Sequence, residues 1–302
     1  MGTTINRQQI LSRKVWSIHD GVGNAGATCT DYNCASLLLG GTDYAEATGT
    51  LWNNLDLTDP WTMSVWVKVD WTQSSGSRTF INIGDDTGAW NDNIFRLYFS
   101  NGGTNLNRLI AEYRTGSARC QPLWALHSFN ATCGLGSNNA VGWSSANRGY
   151  TNANDFTLIT VTYDPSLSAS LEHVRFKMYW NGNDLGGAYP NDFNPASVTF
   201  PTGLAKKFRI GANIVTNTAG MEGNLDEVSV FSGVLTPTEI LEIWNGTQTP
   251  GSTDGTPDNL LSHSRAGDLV AWYRGENNLL DSSTNSNTLT SNGTTFDTTN
   301  KA

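Results

Sequence analysis

The fold is decided by residues 223–245, which read GNLDEVSVFSGVLTPTEILEIWN. The half that ends at Phe231 is rich in β-branched and aromatic residues, which favour strands. After it, Thr236 offers an N-cap hydroxyl, Pro237 suits the first helical position, and Glu239 stands three residues beyond the cap. An Asn-Gly pair then ends the pattern. The stretch therefore predicts a strand, a turn and a short helix.

Earlier segments show strand patterns of the same kind. They are SLLLGGTDY at 36–44, LTDPWTMSVWVK at 57–68, FTLITVTYD at 156–164, VRFKMYWNG at 174–182 and FRIGA at 208–212. Met63, Val65, Val67 and Val69 alternate with polar or outward positions, as in a half-buried strand, and Asn181-Gly182 is a type I′ hairpin signal. In order and spacing, these segments and 223–245 resemble the concanavalin A-like, laminin-G-like domains over roughly residues 30–245. The resemblance implies an all-β fold, an antiparallel jelly-roll sandwich with a short helix at the domain end and extended N- and C-terminal arms.

Composition divides the chain into four parts: an N-terminal arm at 1–30, the sandwich at 31–246 with an insertion near 115–155, a Thr/Gly/Pro-rich linker at 247–257, and a β-rich C-terminal arm at 258–302.

The C-terminal arm contains LVAWYRGE at 269–276 and DSSTNSNTLT at 281–290, which resemble a segment that opens many laminin-G-like domains. The same placement occurs in sandwich proteins encoded among the structural genes of marine tailed bacteriophages, and the whole chain is similar to those. Such an arm completes the sheet of its own subunit or that of a neighbour.

Charge and hydropathy exclude several function classes. A net charge of -9 and a pI near 4.8 disfavour nucleic-acid binding, which needs clustered Lys and Arg. The sequence has no apolar run near the ~20 residues that a membrane span requires. Residues 1–10 lack a basic segment followed by an apolar core, so we expect no secretory signal and synthesis in a host cytoplasm.

The four cysteines fall into two local pairs, Cys29 with Cys34 and Cys120 with Cys133. An even number and local pairing favour two disulfides, and free buried thiols are the alternative. A zinc site would show a Cys-x-x-Cys pair, and the sequence has none.

Catalytic patterns are missing from the sequence. Glycosidases of this fold carry carboxylates as E-x-D-x-x-E on one strand, whereas here Asp226 and Glu227 are adjacent and, on a regular strand, project to opposite faces. The chain has neither an H-x-x-x-H nor a G-x-S-x-G pattern. Its histidines are solitary: His19, His127, His173 and His263. The sequence therefore predicts a protein that is not an enzyme, with a glycosidase or polysaccharide lyase as the weakest alternative.

Calcium is the one metal that the sequence favours, as a structural ion. Asp43 and Asp226 match positions that contribute to calcium binding in the resembled family, and Asp85 lies in an acidic loop. The alternative is that these residues serve turn geometry and solubility.

Glycan binding would use exposed aromatic rings beside amide and carboxylate groups. Trp90, followed by Asp92 and Asn93, is the first candidate, and Trp124 and Trp143 in the insertion come next. For Trp90, a subunit interface and ordinary core packing are the alternatives to a glycan platform.

Together these observations predict a virion structural protein of a tailed phage, displayed on the virion surface as an outer capsid decoration protein or tail appendage. Its partners would be the major capsid protein or tail subunits, together with other copies of the chain in a homo-oligomer, for which a trimer is the favoured state. The alternative is a lectin-like carbohydrate-binding module for attachment to host-surface glycans.

Overall fold

The structure is a computed structural model that describes residues 35–48, 55–69, 77–84, 93–102, 105–115, 118–120, 122–125, 156–167, 175–185, 189–190, 207–214, 220–245 and 259–299. Two antiparallel sheets pack face to face, as the sequence predicts, and one short helix follows the last strand of the body.

The first sheet contains β1 (Ser36–Gly40), β3 (Trp61–Val69), β9 (Thr157–Tyr163), β10 (Phe176–Trp180), β11 (Asn183–Asp184), β14 (Glu222–Phe231), β15 (Leu269–Tyr273) and β17 (Thr295–Asp297). Its strand order is β11-β10-β9-β3-β14-β1-β17, and β15 also pairs with β14. β1 lies beside residues 222–225 of β14 and β15 beside residues 228–231, so the two strands share one edge of β14.

The second sheet contains β2 (Tyr44–Thr48), β4 (Ser77–Gly84), β5 (Asn93–Gly102), β6 (Asn105–Thr115), β7 (Ala118–Cys120), β8 (Pro122–Ala125), β12 (Tyr189–Pro190), β13 (Lys207–Ile210) and β16 (Thr290–Asn292). Its strand order is β12-β8-β6-β5-β4-β13-β2-β16, with β7 beside β6.

The main core lies between the sheets. In β3, Met63, Val65, Val67 and Val69 all point into it, which confirms the period-two pattern of that strand. The intervening Trp66 points to the opposite face of the first sheet.

Helix α1 (Pro237–Asn245) covers that opposite face. Its predicted capping box is present: the Thr236 backbone N–H donates to Glu239 Oε2 at 2.6 Å, and the Glu239 N–H donates to Thr236 Oγ1 at 3.3 Å. We call this surface the helix-covered face. It consists of Trp66, Phe156, Leu158, Tyr179, Phe231, Leu235, Ile240, Ile243, Trp244, Leu260, Leu269 and Trp272.

The C-terminal residues 259–299 complete both sheets of their own chain. β15 and β17 join the first sheet, whereas β16 joins the second. Val270, Tyr273 and Leu289 enter the main core. Of the two sequence-based possibilities for this arm, the structure has pairing within the same subunit. Among the described residues, no helix is long and apolar enough to cross a membrane.

Candidate functional site

A line of polar side chains crosses the outer face of the second sheet. Their Cα atoms are successive partners across six neighbouring strands, so the side chains share one face. In β5, β4, β13 and β2 the residues on both sides of the row's member enter the core. We call this line the polar row. From β6 to β16 it consists of Glu112, Arg96, Asn82, Arg209, Glu46 and Thr290.

Arg209 and Glu46 form the tightest ion pair of the polar row. Arg209 Nε and Nη2 lie 2.8 and 2.6 Å from Glu46 Oε2. Lys207 Nζ lies 3.6 Å from Glu46 Oε1. The Arg209 guanidinium also stacks on the Tyr44 ring, 3.7 Å from its centroid. The Glu46 carboxylate thus contacts two cationic side chains, both from β13.

The middle of the polar row holds the segment that follows β13. Asn82 Nδ2 donates to the Phe95 carbonyl at 2.8 Å, and its Oδ1 accepts the Ile214 N–H at 2.8 Å. Arg209 Nη1 donates to the Asn213 carbonyl at 2.9 Å. Residues 213–214 therefore lie over the row at this point. The Asn82 side-chain amide holds the backbone of Phe95 and Ile214 in place.

A compact cluster forms the β5–β6 end of the row. Arg96 Nη2 lies 3.9 Å from Glu112 Oε2, and the Tyr98 hydroxyl donates to the same carboxylate at 3.2 Å. The Arg96 guanidinium stacks on the Tyr98 ring at 3.6 Å. Burial raises the pKa of Tyr98 to about 12, with Arg96 opposing the shift and Glu112 adding to it. Tyr98 therefore remains a neutral hydrogen-bond donor near pH 7.

The opposite end of the row reaches solvent. The side chains of Glu46 and Lys207 are 15% and 20% exposed, and Thr290 and Asn292 on β16 are exposed. Asn292 Nδ2 donates to the Tyr44 hydroxyl at 2.7 Å. We call this group, Tyr44, Glu46, Lys207, Thr290 and Asn292, the accessible end. It combines a ring, a carboxylate, an ammonium, a hydroxyl and an amide.

The two calcium candidates that are described do not meet. Asp43 follows β1, and its Oδ2 accepts the Gly40 N–H at 2.8 Å. Gly40, next to which Asp43 is held, pairs with Glu222 of β14. Asp226 lies four residues further along that strand, which places its Cα roughly 13 Å from that of Glu222 at 3.3 Å per residue. Asp226 Oδ1 accepts the N–H of Glu227 at 3.0 Å. Within the described ranges, no group of three His, Cys, Asp or Glu residues is arranged to hold a metal ion.

Most other predicted site residues lie outside the described residues: Asp85, Trp90, Asp92, Trp143, Cys29, Cys34 and Cys133. Three fall on described strands. The backbone of Asn93 pairs with Gly84, that of Trp124 with Leu109 and that of Cys120 with Tyr113. The glycan, calcium and disulfide assignments of these residues stay predictions.

Asp226 and Glu227 belong to a buried network that joins the C-terminal segment to the body. A β-bulge interrupts β14 after Asp226, and Glu227 has a positive φ of 47°. The Trp272 indole N–H donates to Glu227, and Arg274 Nε lies 3.8 Å from the same carboxylate. Glu276 Oε2 accepts the Ala35 N–H at 3.0 Å. These carboxylates hold β1, β14 and β15 together.

Comparison with known proteins places this geometry in a family. The family model described as the concanavalin A-like lectin/glucanases superfamily matches residues 39–241. The chain belongs to this superfamily. Residues 259–299 lie beyond the matched range, yet they supply three strands of this member's sandwich. No curated protein sequence matches the chain.

Several solved structures are similar to this superfamily member. A Bacteroides ovatus protein proposed to bind carbohydrate has a TM-score of 0.50 and 14% identity over 88% of this chain, and the chain spans 60% of that protein. A Limulus polyphemus SAP-like pentraxin has a TM-score of 0.46 and 11% identity, covering 88% of this chain and 96% of its own. The CBM40 module of Ruminococcus gnavus IT-sialidase has a TM-score of 0.39 and 15% identity, covering 68% and 99%. At these identities the likeness is one of fold.

Sequence reasoning missed the polar row. A signal was present, because Arg96 and Tyr98 alternate with Phe95, Leu97 and Phe99. That alternation shows that one face of β5 is polar. It does not show which residues of other strands stand beside them.

Proposed function

We propose that this protein is a non-enzymatic carbohydrate-binding protein whose glycan site is the accessible end of the polar row. The observation that carries the proposal is the convergence of Tyr44, Glu46, Lys207, Thr290 and Asn292 at one solvent-facing edge of the second sheet. Sugar hydroxyls are recognised by fixed donors and acceptors beside a ring, and this group supplies all three. The Bacteroides ovatus protein of the same fold, itself proposed to bind carbohydrate, agrees with this assignment.

The placement of carboxylates argues against glycoside hydrolysis on this face. A hydrolase needs two carboxyl groups on either side of one bond, at about 5–9.5 Å. Glu46 and Glu112 stand on β2 and β6, four strand spacings apart, which is roughly 19 Å. Each is also paired with an arginine. Neither carboxylate has a counterpart for acid–base work within the row.

The proposal is tested by screening the purified chain on a glycan array and titrating the best ligand into variants. Thr290→Ala and Asn292→Ala each remove one exposed polar group, so we expect affinity to fall about two- to tenfold per substitution. Leu261→Ala, at a residue 49% exposed beside the helix-covered face, is the matched control and should leave affinity unchanged. Absence of array binding, or equal losses in all three variants, would overturn the proposal.

We also propose that the chain is displayed on the surface of a tailed-phage particle, as a capsid decoration protein or tail appendage. The support is the resemblance of the chain to sandwich proteins encoded among phage structural genes. Because β15, β16 and β17 pair within their own chain, the proposed docking to capsid or tail subunits does not depend on donating these strands to a neighbour. Proteomics and cryo-electron microscopy of intact particles test this setting: ordered copies on the particle surface support it, and absence from particles overturns it.

A further inference from the structure

The two oxygens of the Glu46 carboxylate differ in what they contact. Oε2 accepts from both the Nε and the Nη2 of Arg209, at 2.8 and 2.6 Å. Oε1 has no hydrogen-bond donor among the described residues, and Lys207 Nζ stands 3.6 Å away, beyond the length of a hydrogen bond. Oε1 is also not one of the buried side-chain atoms that lack a partner, so solvent reaches it. Glu46 therefore keeps an accessible acceptor beside the ion pair that fixes its position.

Two residues of β16 extend this accessible surface. Thr290 stands opposite Glu46 and Asn292 opposite Tyr44, and both β16 side chains are exposed. Because Asn292 Nδ2 donates to the Tyr44 hydroxyl, Asn292 Oδ1 can accept a hydrogen bond and the Tyr44 O–H can donate one. A sugar hydroxyl, which both donates and accepts, matches every group at this edge. An ionised carboxylate or sulfate only accepts, so it has no hydrogen to offer Glu46.

The charges around this surface balance. Asp43 and Glu46 supply two negative charges, and β13 supplies two positive charges from Lys207 and Arg209. Asp43 belongs to the group because its Oδ1 lies only 2.5 Å from where a Cβ of Gly293, the residue after β16, would stand. Since Glu46 Oε1 and Lys207 Nζ are 3.6 Å apart, a ligand ion that touches one of them also meets its own sign of charge on the other. Such an ion gives up hydration and gains little net attraction.

We propose that the accessible end selects neutral, hydroxyl-rich sugars, with Glu46 rejecting acidic sugars and Lys207 rejecting amino sugars. This inference rests on the proposed function, because it names the class of glycan bound at the same site. A neutral hydroxyl donates to Glu46 Oε1 without any like-charge contact, so selectivity arises from repulsion of the wrong ligands as well as attraction of the right one. The net charge of -9 attracts cationic sugars from a distance, and Lys207 opposes them at contact.

The test measures the binding of neutral and charged sugars to the full chain at about pH 6, where a uronate is ionised and a sugar amine is protonated. Trisaccharides of glucose, galactose and mannose are titrated by calorimetry, each beside the corresponding uronate and 2-amino sugar. At least one neutral sugar should bind about tenfold or more tightly than both of its charged counterparts. The methyl ester of the uronate and the N-acetyl form of the amino sugar remove the charge, so they should recover most of the lost affinity.

Two variants should shift this preference in opposite directions. Glu46→Gln keeps a carbonyl oxygen for Arg209 but removes the negative charge, so the affinity for the uronate relative to the neutral sugar should rise about tenfold. Lys207→Gln removes the positive charge, so the relative affinity for the amino sugar should rise about three- to tenfold. Asp59→Asn removes an exposed carboxylate from the turn before β3 of the first sheet and is the charge-matched control for Glu46→Gln. It should leave both ratios unchanged.

The outcomes separate this inference from the proposed function. If charged and neutral sugars bind equally, or a charged sugar is preferred, and Thr290→Ala weakens that binding, the proposed function stands and the ligand class is wrong. If Glu46→Gln lowers all affinities by one factor, Glu46 supports the fold rather than the choice of ligand, which also overturns the inference. Lys207, whose side chain is 20% exposed, gives an independent result if Glu46→Gln does not fold: an unchanged ratio in Lys207→Gln overturns the inference. Failure to bind any of the sugars would instead remove the proposed function itself.

Discussion

The outer face of the first sheet carries Trp66, Leu158 and Trp272 beneath α1, whereas the outer face of the second sheet carries Arg96, Arg209 and their carboxylate partners. Both sets of side chains are buried except for Glu46, which is 15% exposed. The first is stabilised by apolar packing, which is non-directional and tolerant of detail. The second is stabilised by hydrogen bonds and ion pairs that fail when one partner is lost. Directional interactions, the ion pairs and hydrogen bonds of buried polar groups, are therefore concentrated on the outer face of the second sheet. That is the face to which we assign binding.

The largest loss of stability is expected from a substitution in the helix-covered face. Trp66 is 1% exposed and stacks on Trp244 of α1 with centroids 5.1 Å apart. Trp66→Ala should lower the free energy of unfolding by about 3–5 kcal/mol, because it removes a large buried ring and leaves a cavity. Urea denaturation measures this, with Trp66→Phe as a milder control. A loss below about 1 kcal/mol would show that α1 does not depend on this packing.

In the polar row, removing both partners of an ion pair should cost less stability than removing one of them. Glu46→Ala should cost about 2–3 kcal/mol, because it leaves the buried Arg209 guanidinium without its carboxylate. The double variant Glu46→Leu with Arg209→Met should recover most of that loss, since the buried guanidinium is removed with its carboxylate. Lys207 also loses its contact with Glu46, but its side chain is 20% exposed and its ammonium is solvated. Urea denaturation of both variants checks this. If the double variant is less stable than the single one, the row is held by something other than the ion pair.

Acid should weaken the helix-covered face by a smaller amount. Partial burial alone would raise the pKa of Glu239, but hydrogen bonds from Thr236 and the charge of Arg265 outweigh it and lower the pKa below the ordinary 4.5. A depressed pKa stabilises the fold above about pH 4.5, and this contribution is lost as pH falls through the folded-state value. Glu239→Gln should flatten the pH dependence of the melting temperature below pH 5. An unchanged acid slope would contradict the assignment.

The smallest effect on stability is expected at the accessible end. Thr290 is exposed on an edge strand, so Thr290→Ala should change the free energy of unfolding by less than about 0.5 kcal/mol. The same substitution should weaken glycan affinity. A variant that loses stability and affinity together would show that Thr290 supports the fold rather than the ligand.

Local signals in the sequence account for the parts that could be predicted. The capping box of Thr236 and Glu239, the alternation in β3, and the turn at Asn181-Gly182 each depend on residues close in sequence. The turn has positive φ values of 49° and 77°, as a type I′ hairpin requires. The family resemblance then ordered these pieces into two sheets.

The polar row could not be predicted because it depends on long-range register. Glu46, Arg209 and Thr290 are neighbours across three strands but lie more than 80 residues apart in the chain. A shift of one residue in any of these strands would move its side chains to the other face. The adjacent Asp226 and Glu227 show the same limit, since the bulge that follows Asp226 sets the backbone of Glu227.

The central claim is that ligand binds on the outer face of the second sheet. Backbone amide chemical-shift mapping, with the strongest array ligand titrated into isotope-labelled protein, tests it most directly. Our account predicts shifts concentrated in β2, β13 and β16, with α1 and residues 259–268 unaffected. Shifts concentrated on the helix-covered face would contradict it.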